Sequence, residues 1–300
     1  VTVRAALRYF TASSGFANCA AAEKLSEAAL IANKVRIVFF MAGGPLRLKI
    51  RIQMVAVYEL SIRLSFALSL GLHMPDTSSL YRIRIWDLPT RAFHILLALS
   101  VLGLVITGEV GGDAMQLHFK LGYVVLTLVL FRFVWGFVGG HWSRFVHFVP
   151  TPHKLMAYVH AVRAHQTPHS TGHNPLGALS VVTMLLALFI QVLSGFMSDD
   201  EISNAGPWTA LVSSDWVSVA TEYHSDIGKV LVILLVILHV GTVLYYKRVK
   251  NEDLITPMLT GDKVLTTEAH NSRDTWTSRL FALSVLAGCV YVVYRLVNLG

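Results

Sequence analysis

The sequence predicts an all-α membrane protein with five transmembrane helices. Three observations predict it. Hydrophobic residues make up 54% of the 300 residues and charged residues only 14%, too apolar for an ordinary water-soluble domain. Apolar stretches long enough to cross ~30 Å of hydrocarbon recur at Ala92–Gly108, Leu117–Gly139, Leu176–Met197, Ile227–Tyr246 and Leu280–Leu299. Lys and Arg fall in alternate connections between these stretches, the bias that orients inserted helices.

Taken from the amino terminus, residues 1–73 hold nine Lys/Arg against three Asp/Glu, a net +6 out of +7 for the whole chain. This block lacks the periodicity and punctuation of a domain. Its most apolar segment, "MVAVYELSIRLSFALSLGL" from Met54, is interrupted by Glu59 and Arg63, a spacing that suits a solvated or interfacial helix. A basic, acid-poor leader fits a targeting peptide. The simpler expectation is that translation begins at Met74 and residues 1–73 stand outside the fold. The expected division is an extension at 1–73, a transmembrane domain at 74–263, and a linker with a C-terminal transmembrane helix at 264–300.

The first span is short unless its helix begins before Arg91, and Asp87 followed by Pro89 marks such a start. Arg82, Arg84 and Arg91 precede it, while the first connection, Glu109–Gln116, has no Lys or Arg. The second connection has Arg144, Lys154 and Arg163; the third, Ser198–Asp226, has none; the fourth has Lys247, Arg248, Lys250, Lys263 and Arg273. The start of the first span is therefore expected on the cytoplasmic side, with the first and third connections outside. Arg279 opens the last span on the inside, and Arg295 near its end can snorkel.

The second connection is rich in histidine: His141, His147, His153, His160, His165, His169 and His173. Their spacing is irregular and no cysteine or carboxylate cluster accompanies them. A solvated loop with a short interfacial helix around Lys154–Arg163 is expected there rather than a metal site. In "GHNP", Asn174 reads as an N-cap and Pro175 as the first helical position of the third span. Cys19 and Cys289 are far apart and belong to no CxxCH, so neither a disulfide framework nor covalent haem attachment is expected.

Topology sorts the remaining histidines by depth. His94 opens the first span at the cytoplasmic level and His239 lies toward the same level in the fourth. His118 opens the second span at the outer level and His224 opens the fourth there. Fifteen residues separate His224 from His239. That is a rise of ~22 Å with both side chains broadly on one helix face. This separation suits two stacked haem groups within one bilayer and not a binuclear metal site. Ionisable residues inside a span are costly and usually functional. Gly122, one turn after His118, removes a side chain where a macrocycle would approach the backbone. Gly103, Gly177, Gly195 and Gly241 serve either that purpose or plain helix packing. Arg132, near the inner end of the second span, either snorkels or meets a haem propionate, and Arg91 stands similarly beside His94. His173 is a candidate to touch the inner haem's edge or a quinone.

The stretches "IWDLPTRAFH", "LHFKLGYVVLTLVLFRFVWGFVGG", "GHNPLGALS", "EYHSDIGKVLVILLVILHV" and "PMLTGDK" together resemble the bacterial cytochrome b561 and nickel-hydrogenase cytochrome b-subunit family, over about Tyr81 to Lys263. The resemblance implies a four-helix transmembrane bundle holding haem, plus one additional C-terminal transmembrane helix. It implies two non-covalent haem b groups with bis-histidine ligation. Its ligand positions match His94, His118, His224 and His239, and its recurrent arginines match Arg91 and Arg132. The family's fourth-helix histidines are more often one residue closer together than here, which implies a local bulge or an altered haem tilt. An aromatic residue usual after the first ligand is Ile95 in this chain.

The function expected is single-electron transport across or within the bacterial plasma membrane, in a respiratory or redox chain. The chain would be an electron-transfer subunit or a quinone-linked oxidoreductase. Besides lipid, candidate partners are a hydrogenase-like subunit, a soluble cytochrome or quinone; no nucleic acid partner is expected. Filled axial positions leave no open iron site for oxygen chemistry. The competing reading is a haem-free transporter or sensor whose intramembrane histidines bind protons or a ligand. It is disfavoured because the sequence shows no inverted repeat and no Gly/Pro-broken helix at mid-span.

Overall fold

The computed structural model describes residues 80–164, 166 and 171–299. The expectations for residues 1–73 and Met74, and His165 and His169 of the second connection, lie outside the described residues. Among those described, five helices are long and apolar enough to cross a membrane. They are α1 (Leu88–Val110), α2 (Met115–Val138), α4 (Pro175–Met197), α5 (Ser214–Arg248) and α6 (Trp276–Val297). The short α3 (Pro152–Arg163) occupies the second connection where an interfacial helix was expected.

The helix starts follow from local chemistry. Asp87 caps α1 by accepting from the Thr90 N–H, with a proline in the first turn, and Asn174 caps α4 by accepting from the Gly177 N–H. α6 opens on a capping box between Thr275 and Ser278. The α1–α2 connection is tight because Gly111 and Gly112 adopt φ of 65° and 55°, a backbone that L side chains resist.

Asp87 does more than cap. It is fully buried and also accepts from Gly140 N, the Ser143 hydroxyl and Trp135 Nε1, at 3.0, 3.1 and 3.3 Å. One carboxylate thus joins the start of α1 to the end of α2. Beside it, β1 (Tyr81–Arg84) pairs antiparallel with β2 (Asp262–Leu265), in the register Tyr81↔Leu265 to Arg84↔Asp262. Arg84 reaches Asp262 at 2.5 Å and Asp274 at 2.7 Å, and Asp274 also meets Arg279 at 2.9 Å. This strand pair was not expected from the sequence. It brings the segment before α1 together with the chain that follows α5.

α2 is the most buried of the five long helices and α5 the least. The main core gathers Val125, Leu126 and Val129 of α2 with Leu188, Val192 and Phe196 of α4, Val232 of α5 and Val293 of α6. A second cluster sets Phe131 and Trp135 of α2 against Phe93 of α1 and Ala282 and Cys289 of α6. Trp208 Nε1 donates to the Leu296 carbonyl at 2.8 Å, fastening the end of α6 to the third connection. Leu99, Leu102, Ile106, Leu234, Ile237 and Leu238 are exposed, as lipid-facing side chains are.

α5 is not a uniform helix. Tyr223–Gly228 forms a π turn just after its first nine residues, Ser214–Glu222. The local bulge expected from the extra residue between His224 and His239 is present.

Candidate cofactor-binding site

The end of the bundle where α1 begins is called here the near end, and the end where α2 begins the far end. α5 contributes to both. Near the near end, the rings of His94 on α1 and His239 on α5 have centroids 6.2 Å apart and planes at 51°. At the far end, His118 on α2 and His224 on α5 lie 6.1 Å apart at 84°. Two imidazoles bound to one metal at ~2 Å per bond need ring centroids roughly 6 Å apart. Both pairs meet that requirement. In a regular helix fifteen residues would leave two side chains ~60° apart around the axis; a π turn takes up about one residue and brings them to ~40° on the other side.

No group of three or more His, Cys, Asp or Glu among the described residues is placed to hold a metal ion. A pair of imidazoles alone suits a metal whose remaining ligands come with it, as the ring nitrogens of a haem would provide.

The far pair is held by hydrogen bonds. His118 Nδ1 lies 3.1 Å from the Leu104 carbonyl and 3.2 Å from the Thr107 hydroxyl. His224 Nδ1 lies 2.8 Å from the Gln191 carbonyl and 3.2 Å from the Ser194 hydroxyl. A carbonyl only accepts, so each Nδ1 carries the proton and each Nε2 keeps its lone pair. A Cβ on Gly195 would stand 2.7 Å from His224 Cε1, and one on Gly108 3.2 Å from His118 Cε1. Gly195 is thus a close-approach position. Gly103 serves helix packing, since a Cβ there would meet Leu121 at 2.7 Å, and Gly177 sits over its own cap, Asn174. A Cβ on Gly122 would meet nothing within 4 Å, leaving open space one turn after His118. Gly241 also faces open space, but it is exposed.

The near pair has different company. Neither His94 nor His239 makes a ring hydrogen bond among the described residues. Around this end stand arginines with buried atoms that find no partner among the described residues, Arg91 Nε, Arg132 Nη1 and Arg144 Nε, and His173 Nδ1 likewise finds none. Arg132 is 3% exposed, so it does not snorkel; its guanidinium lies 4.9 Å from the Phe145 ring centre and 5.7 Å from that of Phe148. Arg91 donates one bond to the Leu259 carbonyl. His173 is packed 4.8 Å from both Trp86 and Phe148. Burial, with the positive charge of Arg132 nearby, pushes its imidazole down to about 3, so it is neutral at physiological pH.

An unsatisfied buried polar atom costs about 1–3 kcal/mol, and more for a charged group. Several such atoms at one end of an apolar bundle call for an anionic, hydrogen-bond-accepting group, which the carboxylates of a haem supply. The residues present therefore fit the group on two counts, the ring separations and the unpaired cations. Among the described histidines of the second connection, His173 is the one that stands at the site. His141 instead stacks on His147 at 3.9 Å and on His270 at 4.9 Å, outside the bundle.

Thr107, Ser194, Gly108 and Trp86 were not singled out from the sequence, and Asp87 was read only as a helix start. For the first three a signal existed: "VITG" at 105–108 and "VLSG" at 192–195 repeat one pattern.

The family model for prokaryotic cytochrome b561 matches residues 85–261. A probable Ni/Fe-hydrogenase B-type cytochrome subunit of Rhizobium leguminosarum bv. viciae is 24% identical over 216 residues, covering 61% of this chain and 89% of the relative. Proteins of the same description from Azotobacter vinelandii and Azotobacter chroococcum mcd 1 are 28% and 29% identical, each covering 60% of this chain and 87% of the relative. No solved structure matches. The resemblance read from the sequence is thereby borne out: this multi-pass membrane protein belongs to the prokaryotic cytochrome b561 family, whose members bind haem b and carry electrons.

Proposed function

We propose that the chain holds two haem b groups, one between His94 and His239 and one between His118 and His224, and passes single electrons between the two faces of the membrane. The observation that carries this reading is that α5 presents one imidazole at each end, each facing a partner ring at 6.2 or 6.1 Å. When bound, haem iron takes up and gives back one electron. The chain's own residues do the rest. His94, His239, His118 and His224 would hold the two irons, two imidazoles to each, and would leave no site for a further iron ligand. α5 fixes the spacing of the two sites along the membrane normal with one rigid element. Arg132 and Arg91 take the propionate charge at the near end, and Gly122 leaves room for a flat group beside His118. Lipid-facing leucines and isoleucines keep water from both sites.

The distribution of Lys and Arg supports a cytoplasmic near end and an outward-facing far end. The relatives' names point to a hydrogenase as redox partner. It would meet the far haem over the third connection, residues 198–226, which has no Lys or Arg. The near haem then serves the cytoplasmic side, or a quinone beside His173.

The test uses sealed vesicles of known orientation. A reductant confined to the far face should reduce both haems of the wild type, and should reduce the near haem much more slowly in His118→Ala. Equal rates in the two proteins would overturn series transfer. A purified wild type without a reduced-minus-oxidised haem spectrum would overturn the haem reading itself.

A further inference from the structure

The far histidines sit in two copies of one local device. In α1, Leu104 offers its carbonyl to His118, Thr107 its hydroxyl, and Gly108 the gap that admits the ring. In α4, Gln191, Ser194 and Gly195 do the same for His224, at the same offsets of three and four residues. Thr107 and Ser194 are each 6% exposed. Their hydroxyl protons are already committed: Thr107 donates to the Gly103 carbonyl at 2.7 Å and Ser194 to the Gln191 carbonyl at 2.8 Å. Each hydroxyl oxygen therefore faces Nδ1–H with lone pairs only. It is a second acceptor beside the carbonyl.

We propose that Thr107 and Ser194 are positioning residues that lock the far imidazoles and make His118 and His224 stronger electron donors than His94 and His239, so that the far haem is the lower-potential of the two. The inference rests on the two-haem reading above. A ligating imidazole whose other nitrogen gives its proton to good acceptors gains basicity. A more basic axial ligand favours ferric over ferrous iron, and hydrogen bonding around the ligands is one of the protein's means of setting a haem potential. The near rings have no comparable acceptor among the described residues, and the near end is ringed by Arg91 and Arg132, whose positive charge favours the reduced state. Both effects have the same sign. An electron entering at the far end would then run downhill to the near end, which gives the symmetric ligand arrangement a direction.

The experiment is a potentiometric titration of the reduced-minus-oxidised haem spectrum in the purified full chain. In the wild type two components are expected, and His118→Ala should remove the lower one. Removal of the higher one would overturn the proposal. Thr107→Val keeps the branched shape and drops the acceptor; Ser194→Ala does so on the other side. Each should retain two haems and raise the lower midpoint potential while leaving the higher one in place, and Thr107→Ser should restore the wild-type value. Unmoved potentials in both variants, or outright loss of the far haem in both, would reduce the hydroxyls to structural supports and overturn the proposal. If one variant fails to accumulate, the other decides. A wild type that holds no haem, or only one, defeats the two-haem reading instead and is seen before any variant is made.

Discussion

The two ends of α5 hold imidazole pairs at almost the same separation, yet by different means. The far pair is built from short-range hydrogen bonds, with carbonyls and hydroxyls of α1 and α4 gripping each Nδ1. The near pair is left ungripped, and the surrounding polar investment goes into cations instead. On the two-haem proposal, one site would specify its ligands' orientation in advance, and the other the charge of what must arrive. A site of the first kind is formed before its cofactor. A site of the second kind is completed by it.

Removing a ligand tests the comparison most severely. His239→Ala and His94→Ala should each cost the near haem, about half of the total haem, and give one shared spectral lesion. His224→Ala and His118→Ala should share the other. A lesion common to His94→Ala and His118→Ala, measured by the difference spectrum, would break the division into two ends.

Arg132 sharpens it at intermediate size. Its buried Nη1 has no partner among the described residues, so Arg132→Met should remove an unsatisfied charge from the apoprotein while it deprives the near haem of a charge-assisted hydrogen bond worth about 1.5–3 kcal/mol. The near haem should be lost roughly 10- to 100-fold more readily to an apo-globin acceptor, and the far haem should be unaffected. The apoprotein should be no less stable to heat than the wild type. A variant whose apoprotein unfolds at lower temperature would show the guanidinium to be a structural strut.

The smallest effect concerns the polar clasp beside the near end. Burial pushes the Asp274 carboxyl up, but bonds from Arg279 and the Leu88 N–H and the charges of Arg279 and Arg84 outweigh it and hold the group below its usual range. A depressed carboxylate stabilises the fold above its ordinary pKa, and that contribution fades as the pH falls through the lowered value. Amide protection relative to the unfolded chain in Tyr81–Arg84 and Asp262–Leu265 should therefore fall below about pH 4 and stay flat through neutral pH. Asp274→Asn should exchange faster at neutral pH and lose most of the acid step. Exchange in the far-end third connection should not follow Asp274.

Much of this was legible in the chain itself. The five spans, the caps at Asp87 and Asn174, and the helix of the second connection follow from local rules of composition and capping. The extra residue between His224 and His239 signalled the π turn at Tyr223–Gly228. What escaped depends on partners distant in sequence. Asp87 reads as a helix cap, and nothing near it announces that it also receives Trp135 and Ser143. Strands of four residues, 178 or more positions apart, have no periodicity to read. Thr107 and Ser194 look like ordinary small polar residues of membrane helices, and only His118 and His224, eleven and thirty residues further on, give them meaning. The arginines were readable as types; that their nitrogens stand unpaired was not.

The placement of α5 also sets a timetable for biosynthesis. Because α5 supplies one ring to each pair, both sites remain half-built while the ribosome is still making the first four helices. His224 emerges before His239, so the far pair is completed first, and its histidine partner on α2 has by then long been waiting in the membrane. α6, which packs on α2, emerges after α5. The near site therefore matures in a chain whose far site can already be finished, and a stalled or truncated product ending between the two histidines would display one complete imidazole pair and one widowed ring.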